Sequence, residues 1–87
     1  MLTIHKFELE ITDVQTIGMR ADAKILHVDN QNGTLCIWAL LSTSDVITER
    51  RFYIFGTGHQ VPRIGLKHIG SVLMDEFVWH VFEESFI

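Results

Sequence analysis

The chain has one cysteine, one proline and no long apolar run in its 87 residues. The lone cysteine, Cys36, excludes an internal disulfide framework and a cysteine-based zinc site. No stretch approaches the roughly 18–20 apolar residues of a membrane-spanning helix. The segment after Met1, Leu-Thr-Ile-His-Lys, lacks the basic and apolar regions of a secretory signal. The expected setting is therefore cytoplasmic, with no membrane partner. Basic residues are few: seven Lys and Arg stand against eleven Asp and Glu, a formal net charge of −4. An acidic domain lacks the footprint that generic nucleic-acid binding requires.

What is present is the make-up of a folded domain, 47% hydrophobic and 21% charged. The length suits a single domain over 1–87. A chain this small buries only about two-thirds of the surface it exposes when unfolded. With six Phe, two Trp and one Tyr to cover, self-association into a homo-oligomer is expected.

The hydrophobic period is two almost throughout. Phe7, Leu9 and Ile11 alternate with Lys6, Glu8 and Glu10, and Thr12-Asp13 breaks the run. Val14 to Arg20 reads as a second strand, with Gly18 placed for a bulge. Lys24–Asn30 and Thr34–Ser42 flank Gln31-Asn32-Gly33, and Asn-Gly is the strongest short hairpin signal because a type I′ turn needs positive φ at both central residues. That register sets Val28 opposite Ile37 and Leu26 opposite Ala39 on an apolar core face. His27 then faces Trp38, and Asp29 faces Cys36, on the other side. Ser42 to Thr48 is a polar connection. Arg50 to Phe55 is a strand running into Gly56-Thr57-Gly58-His59, and Gln60 to Lys67 is a loop. His68–Met74 and Glu76–Phe82 form a final hairpin, with Phe77, Trp79 and Val81 turned to the core and His80 to the surface. No helix is predicted. Six to seven short strands give an all-β fold: a small antiparallel β-sandwich or a partly open barrel.

Three stretches look familiar together: Lys6-Phe7-Glu8-Leu9-Glu10-Ile11-Thr12-Asp13, Cys36-Ile37-Trp38-Ala39-Leu40, and Arg51-Phe52-Tyr53-Ile54-Phe55-Gly56-Thr57-Gly58-His59. With the ending Phe77-Val78-Trp79-His80-Val81-Phe82-Glu83, the set resembles a family of small bacteriophage and prophage proteins that has no assigned reaction. The resemblance covers nearly the whole chain, and its best motif is the strand ending in Phe-Gly-Thr-Gly-His. It implies a phage setting, hence the host-cell cytoplasm. Stand-alone phage proteins of this size are often inhibitors or sponges acting on host defence, so the resemblance makes counter-defence an expectation.

Among residues that could carry chemistry, Gly56-Thr57-Gly58-His59 stands first. Two glycines straight after a strand let backbone N–H groups face a ligand, as in an anion-binding nest. Thr57 adds a hydroxyl and His59 a donor. Arg51, or Arg63 beyond the loop, would close the site on an anion. The alternative is a tight turn only, with Arg50 and Arg51 paired to Glu49 or to Glu83-Glu84. His27 and Trp38 form a candidate aromatic contact for a nucleobase or a partner's proline, or else an aromatic pair over a second core layer. The five histidines show no metal-ligand spacing, so no metal site is expected. Cys36 reads as a buried, inert thiol. No cofactor is implied.

The expected function is a non-enzymatic binding module. It would be an inhibitor of a host defence protein or a sponge for a small anionic, nucleotide-like signal. Two other classes stay open: a minor virion or assembly component, and a small hydrolase with an unrecognised site, for instance one using His59.

Overall fold

The computed structural model describes residues 2–42, 46–61 and 65–84. Seven antiparallel strands account for most of them: β1 (Thr3–Leu9), β2 (Val14–Arg20), β3 (Lys24–Gln31), β4 (Thr34–Leu41), β5 (Ile47–Gly56), β6 (Leu66–Met74) and β7 (Phe77–Glu84). No helix occurs among the described residues. The strands form two sheets, ordered β1-β4-β3 and β2-β5-β7-β6. They are not closed into a barrel, so of the two expected architectures the sandwich is found. β5 and β6 are consecutive in sequence, but β7 pairs between them.

Alternation builds one core between the sheets. The first sheet contributes Leu9, Val28, Leu35, Ile37, Ala39 and Leu41; the second contributes Met19, Phe52, Ile54, Val72 and Val81. Each such side chain stabilises the fold by about 1.5–3 kcal/mol through burial. The β3–β4 turn has Asn32 at φ 53° and Gly33 at φ 86°, the mirror-image geometry that Asn-Gly favours. Gln31 pairs with Thr34 and Val28 with Ile37, as expected.

Four local expectations are corrected. Leu26 does not face Ala39: the register shifts between Ile25 and His27, Ile25 takes that place, and Leu26 is exposed. The bulge expected at Gly18 is absent, because β2 and β5 pair in unbroken register and Gly18 sits opposite Glu49. β5 begins at Ile47, within the expected connection. Phe77, the first residue of β7, is 61% exposed and rests against Trp79 at the strand end, while Trp79 and Val81 turn to the core as expected. The other register shift lies in β6 between His68 and Gly70. The Asp75-Glu76 turn works through Asp75, which holds φ 55°.

The backbones of the two sheets come closest where β3 passes β6. Gly70 makes this approach feasible: a Cβ built there would lie 2.3 Å from Val28 Cγ1. At one end of the sandwich the core is closed by a polar plug. Arg50 donates from Nη2 to Glu83 Oε1 at 2.7 Å, from Nε to the other carboxylate oxygen, and from Nη1 to the Ala23 carbonyl.

Candidate functional site

The turn after β5 uses its two glycines for different purposes. Gly58 has φ 91°, a conformation that side chains resist. Gly56 provides space: a Cβ there would lie 3.0 Å from His59 Cε1 and 3.2 Å from Trp79 Cζ3. His59 consequently folds back over the turn, its ring edge-on to Trp79 at 6.3 Å. The Gly56 N–H donates to His59 Nδ1 at 3.0 Å and the His59 N–H donates to the Gly56 carbonyl at 3.0 Å. The Thr57 N–H donates to the Val78 carbonyl at 3.3 Å. The N–H groups expected to face a ligand are thus largely turned to the turn's own structure, leaving that of Gly58. Because His59 Nδ1 accepts, Nε2 is the donor of the neutral ring.

Thr57 reaches across β7 instead. Its Oγ1 lies 2.9 Å from His80 Nε2. His80 Nδ1 lies 2.7 Å from Ser71 Oγ, and Ser71 Oγ lies 3.0 Å from His68 Nε2. Two hydroxyls and two imidazoles therefore form one hydrogen-bonded chain across the outer face of the second sheet. Each hydroxyl can donate or accept, and each neutral ring does one at each nitrogen, so the protons can run in either direction. Alongside runs a row of rings. Tyr53 and Phe55 are stacked at 6.3 Å and 9°, Phe55 meets Phe82 edge-on at 5.8 Å, and Phe82 meets His68 at 5.2 Å.

Two hollows border this face. One, of about 270 Å³, is lined by Asp13, Val14, Tyr53, Phe55, His59 and Gln60. The other, of about 300 Å³, lies at the seam between the sheets, where Lys24, Arg50, Lys67, His68, Ile69 and Glu83 come together.

Of the residues expected in an anion site, Gly56, Thr57, Gly58 and His59 are brought together in the turn. Arg51 shares the outer face with Tyr53, but its Nη1 lies 3.7 Å from a Glu84 carboxylate oxygen and it lines neither hollow. Arg63 lies outside the described residues. His27 and Trp38 are neighbours at 5.7 Å on the outer face of the other sheet, and His27 Nε2 also lies 3.3 Å from Asp29 Oδ2. No group of three or more metal-ligating side chains occurs among the described residues.

The sequence pattern does not mark Ser71, His68 and His80 as a unit. The expected β6–β7 hairpin would pair Ser71 with His80, as observed, but the register shift at Ile69 then returns His68 to the same face. A histidine three residues from a serine on a strand normally points the other way.

Cys36 lies mid-strand in β4, between Glu8 of β1 and Asp29 of β3, and is 1% exposed. Burial pushes its thiol above the ordinary range; Lys6 partly offsets this and Glu8 adds to it. Iodoacetamide at pH 8 is expected to modify the native protein at least about tenfold more slowly than the denatured protein, because the thiolate is the reactive form. The sign for stability follows: the unfolded thiol ionises first, so Cys36's contribution is intact below pH 9.0 and declines as pH rises towards the folded-state value. Equal alkylation rates in the two states would refute the assignment.

Residues 1–86 match the model of a protein family described as a domain of unknown function, DUF7352, and the chain belongs to that family. No curated protein and no solved structure matches it.

Proposed function

We propose that this protein is a non-enzymatic binding domain that takes a small anionic, nucleotide-like molecule on the outer face of its second sheet. The observation that carries the reading is the Thr57–His80–Ser71–His68 chain lying beside the rings of Tyr53, Phe55 and Phe82. Polar side chains on a wet sheet face normally hydrate one by one, and ordering four of them against one another costs conformational entropy. A ligand that needs both donors and acceptors benefits from that order. Phe55 is itself buried and backs the other two rings, so the half-buried Tyr53 and Phe82 supply the platform for a flat group, on which stacking is worth about 1–3 kcal/mol per base. In the phage setting that the sequence resemblance implies, the corresponding role is the capture of a host signal.

The test is calorimetry and amide NMR with ADP, AMP and adenosine on wild type, Ser71→Ala and His80→Ala. The expected result is amide shifts centred on Thr57, Ser71 and His80, with affinity falling about tenfold in each variant, as suits loss of one hydrogen bond of 1–1.5 kcal/mol. No shift at millimolar nucleotide, or variants that bind like wild type, would overturn the reading.

A second reading has its own observation. Ser71 Oγ at 2.7 Å from His80 Nδ1, with Thr57 orienting the other ring nitrogen, is a nucleophile–base–orienter arrangement. The binding reading is preferred because Ser71 is shared with a second imidazole, that of His68. Hydrolysis of p-nitrophenyl acetate that is lost in Ser71→Ala would reverse that preference.

A further inference from the structure

Resting on that reading, we infer that the anionic group of the ligand is held at the seam between the sheets, by Lys24, Lys67 and His68, and not by the Gly56–His59 turn. Both strands that border the seam hollow are irregular beside it. β3 shifts register after Ile25 and β6 shifts after His68, and these shifts flank the space.

Charge at the seam runs against the rest of the molecule. The protein carries −4, yet the hollow brings Lys24, Lys67 and Arg50 together with a single carboxylate, that of Glu83. Arg50 is already engaged, on both oxygens of Glu83 and on the Ala23 carbonyl. Lys24 and Lys67 have no ion pair within 4.0 Å among the described residues. Glu83 sits opposite Lys67 in the β6–β7 ladder but its carboxylate is held by Arg50, so among the described residues the hollow's lining carries three cationic side chains against one carboxylate, a net of two positive charges. A volume of about 300 Å³ suits a phosphate or pyrophosphate group.

His68 joins this hollow to the outer face. Its ring lines the hollow and packs on Phe82, while its Nε2 lies on Ser71 Oγ. Nδ1 of the same ring is left as a further polar contact. A ligand whose phosphate enters the seam thus places its remaining part over Phe82 and the Ser71–His80 pair. The turn, with most of its N–H groups used internally, is left to position Thr57.

The experiment titrates pyrophosphate and, separately, adenosine into the labelled protein at low salt. The variants are Lys24→Gln, Lys67→Gln, the double variant and Arg51→Gln. All three side chains are exposed, and an unchanged amide spectrum verifies folding. Pyrophosphate is expected to shift the amides of Lys24, Ile25, Lys67, His68 and Ile69. Each lysine variant should weaken it about five- to tenfold and the double variant more, whereas Arg51→Gln should stay within about twofold, as expected for removing a charge-assisted bond against a remote charge. Pyrophosphate shifts centred on Thr57–His59, no pyrophosphate shifts at all, or a double variant that binds like wild type would each overturn the seam assignment. The two readings fail separately. Adenosine shifts at Ser71 and His80 with an inert seam would leave the outer-face reading standing alone. Pyrophosphate bound at the seam with adenosine inert would do the reverse.

Discussion

Gly70→Ala is expected to lower the unfolding free energy by about 2–3 kcal/mol, the range for forcing atoms into a packed core. The added methyl would lie 2.3 Å from Val28 Cγ1, far inside van der Waals contact. Val28 cannot easily turn away. It is β-branched, 8% exposed, and set opposite Ile37 in the central register of the hairpin. The strain must therefore pass into the backbones of β3 and β6, where the sheets are closest. Shortening Val28 should relieve it. In Val28→Ala/Gly70→Ala the two effects are expected to fall short of additivity by at least about 1 kcal/mol. Urea unfolding of the four proteins measures the coupling. Additive losses, or a Gly70→Ala protein as stable as wild type, would show that the strands can separate without cost.

Arg50→Met is expected to be as damaging, at about 3 kcal/mol. The Arg50 and Glu83 side chains are only 18% and 13% exposed. Removing the guanidinium leaves a largely buried carboxylate without its partner and deprives the Ala23 carbonyl of a donor, the circumstance in which a buried ion pair shows its full cost. Replacing both residues, as Arg50→Met/Glu83→Met, should recover at least half the loss, since an apolar pair of similar volume avoids the stranded charge. If the single and double variants unfold at the same denaturant concentration, the plug matters through packing and not through charge. The same pair of variants separates stability from binding, because Arg50 forms the floor of the seam while Lys24 and Lys67 face the space above it.

Much of this arrangement was readable in the residues, and the parts that were not have a common cause. Alternation alone puts Phe52 and Ile54 on one face of their strand and Arg51 and Tyr53 on the other, and the structure divides them that way. Asn32-Gly33 defined its turn because the required φ values exclude most other pairs. Strict alternation misplaces Leu26 because the register of β3 shifts between Ile25 and His27, an irregularity that no local pattern records. Strict alternation likewise turns His68 away from Ser71, because it does not record the register shift between His68 and Gly70 in β6. The two glycines at 56 and 58 single out this turn in the sequence, but the pattern does not reveal that most of its N–H groups are used internally. That Gly56 makes room for the His59 ring against Trp79 follows from how the turn folds back on β7, which the local pattern does not record.

The position of β7 between β5 and β6 also bears on the order in which the protein can assemble during synthesis. β1 to β4 include every strand of the first sheet, and that sheet can pair as soon as residue 41 has left the ribosome. The second sheet cannot. β5 has β2 on one side, but its other edge waits for residues 77–84, and β6 has no ladder partner in its sheet until the same segment arrives. Nascent chains of intermediate length therefore carry a half-finished layer with open strand edges and an uncovered apolar face, the condition most exposed to wrong pairing. Emergence of one eight-residue strand closes both edges together, so the second layer forms in a single late step.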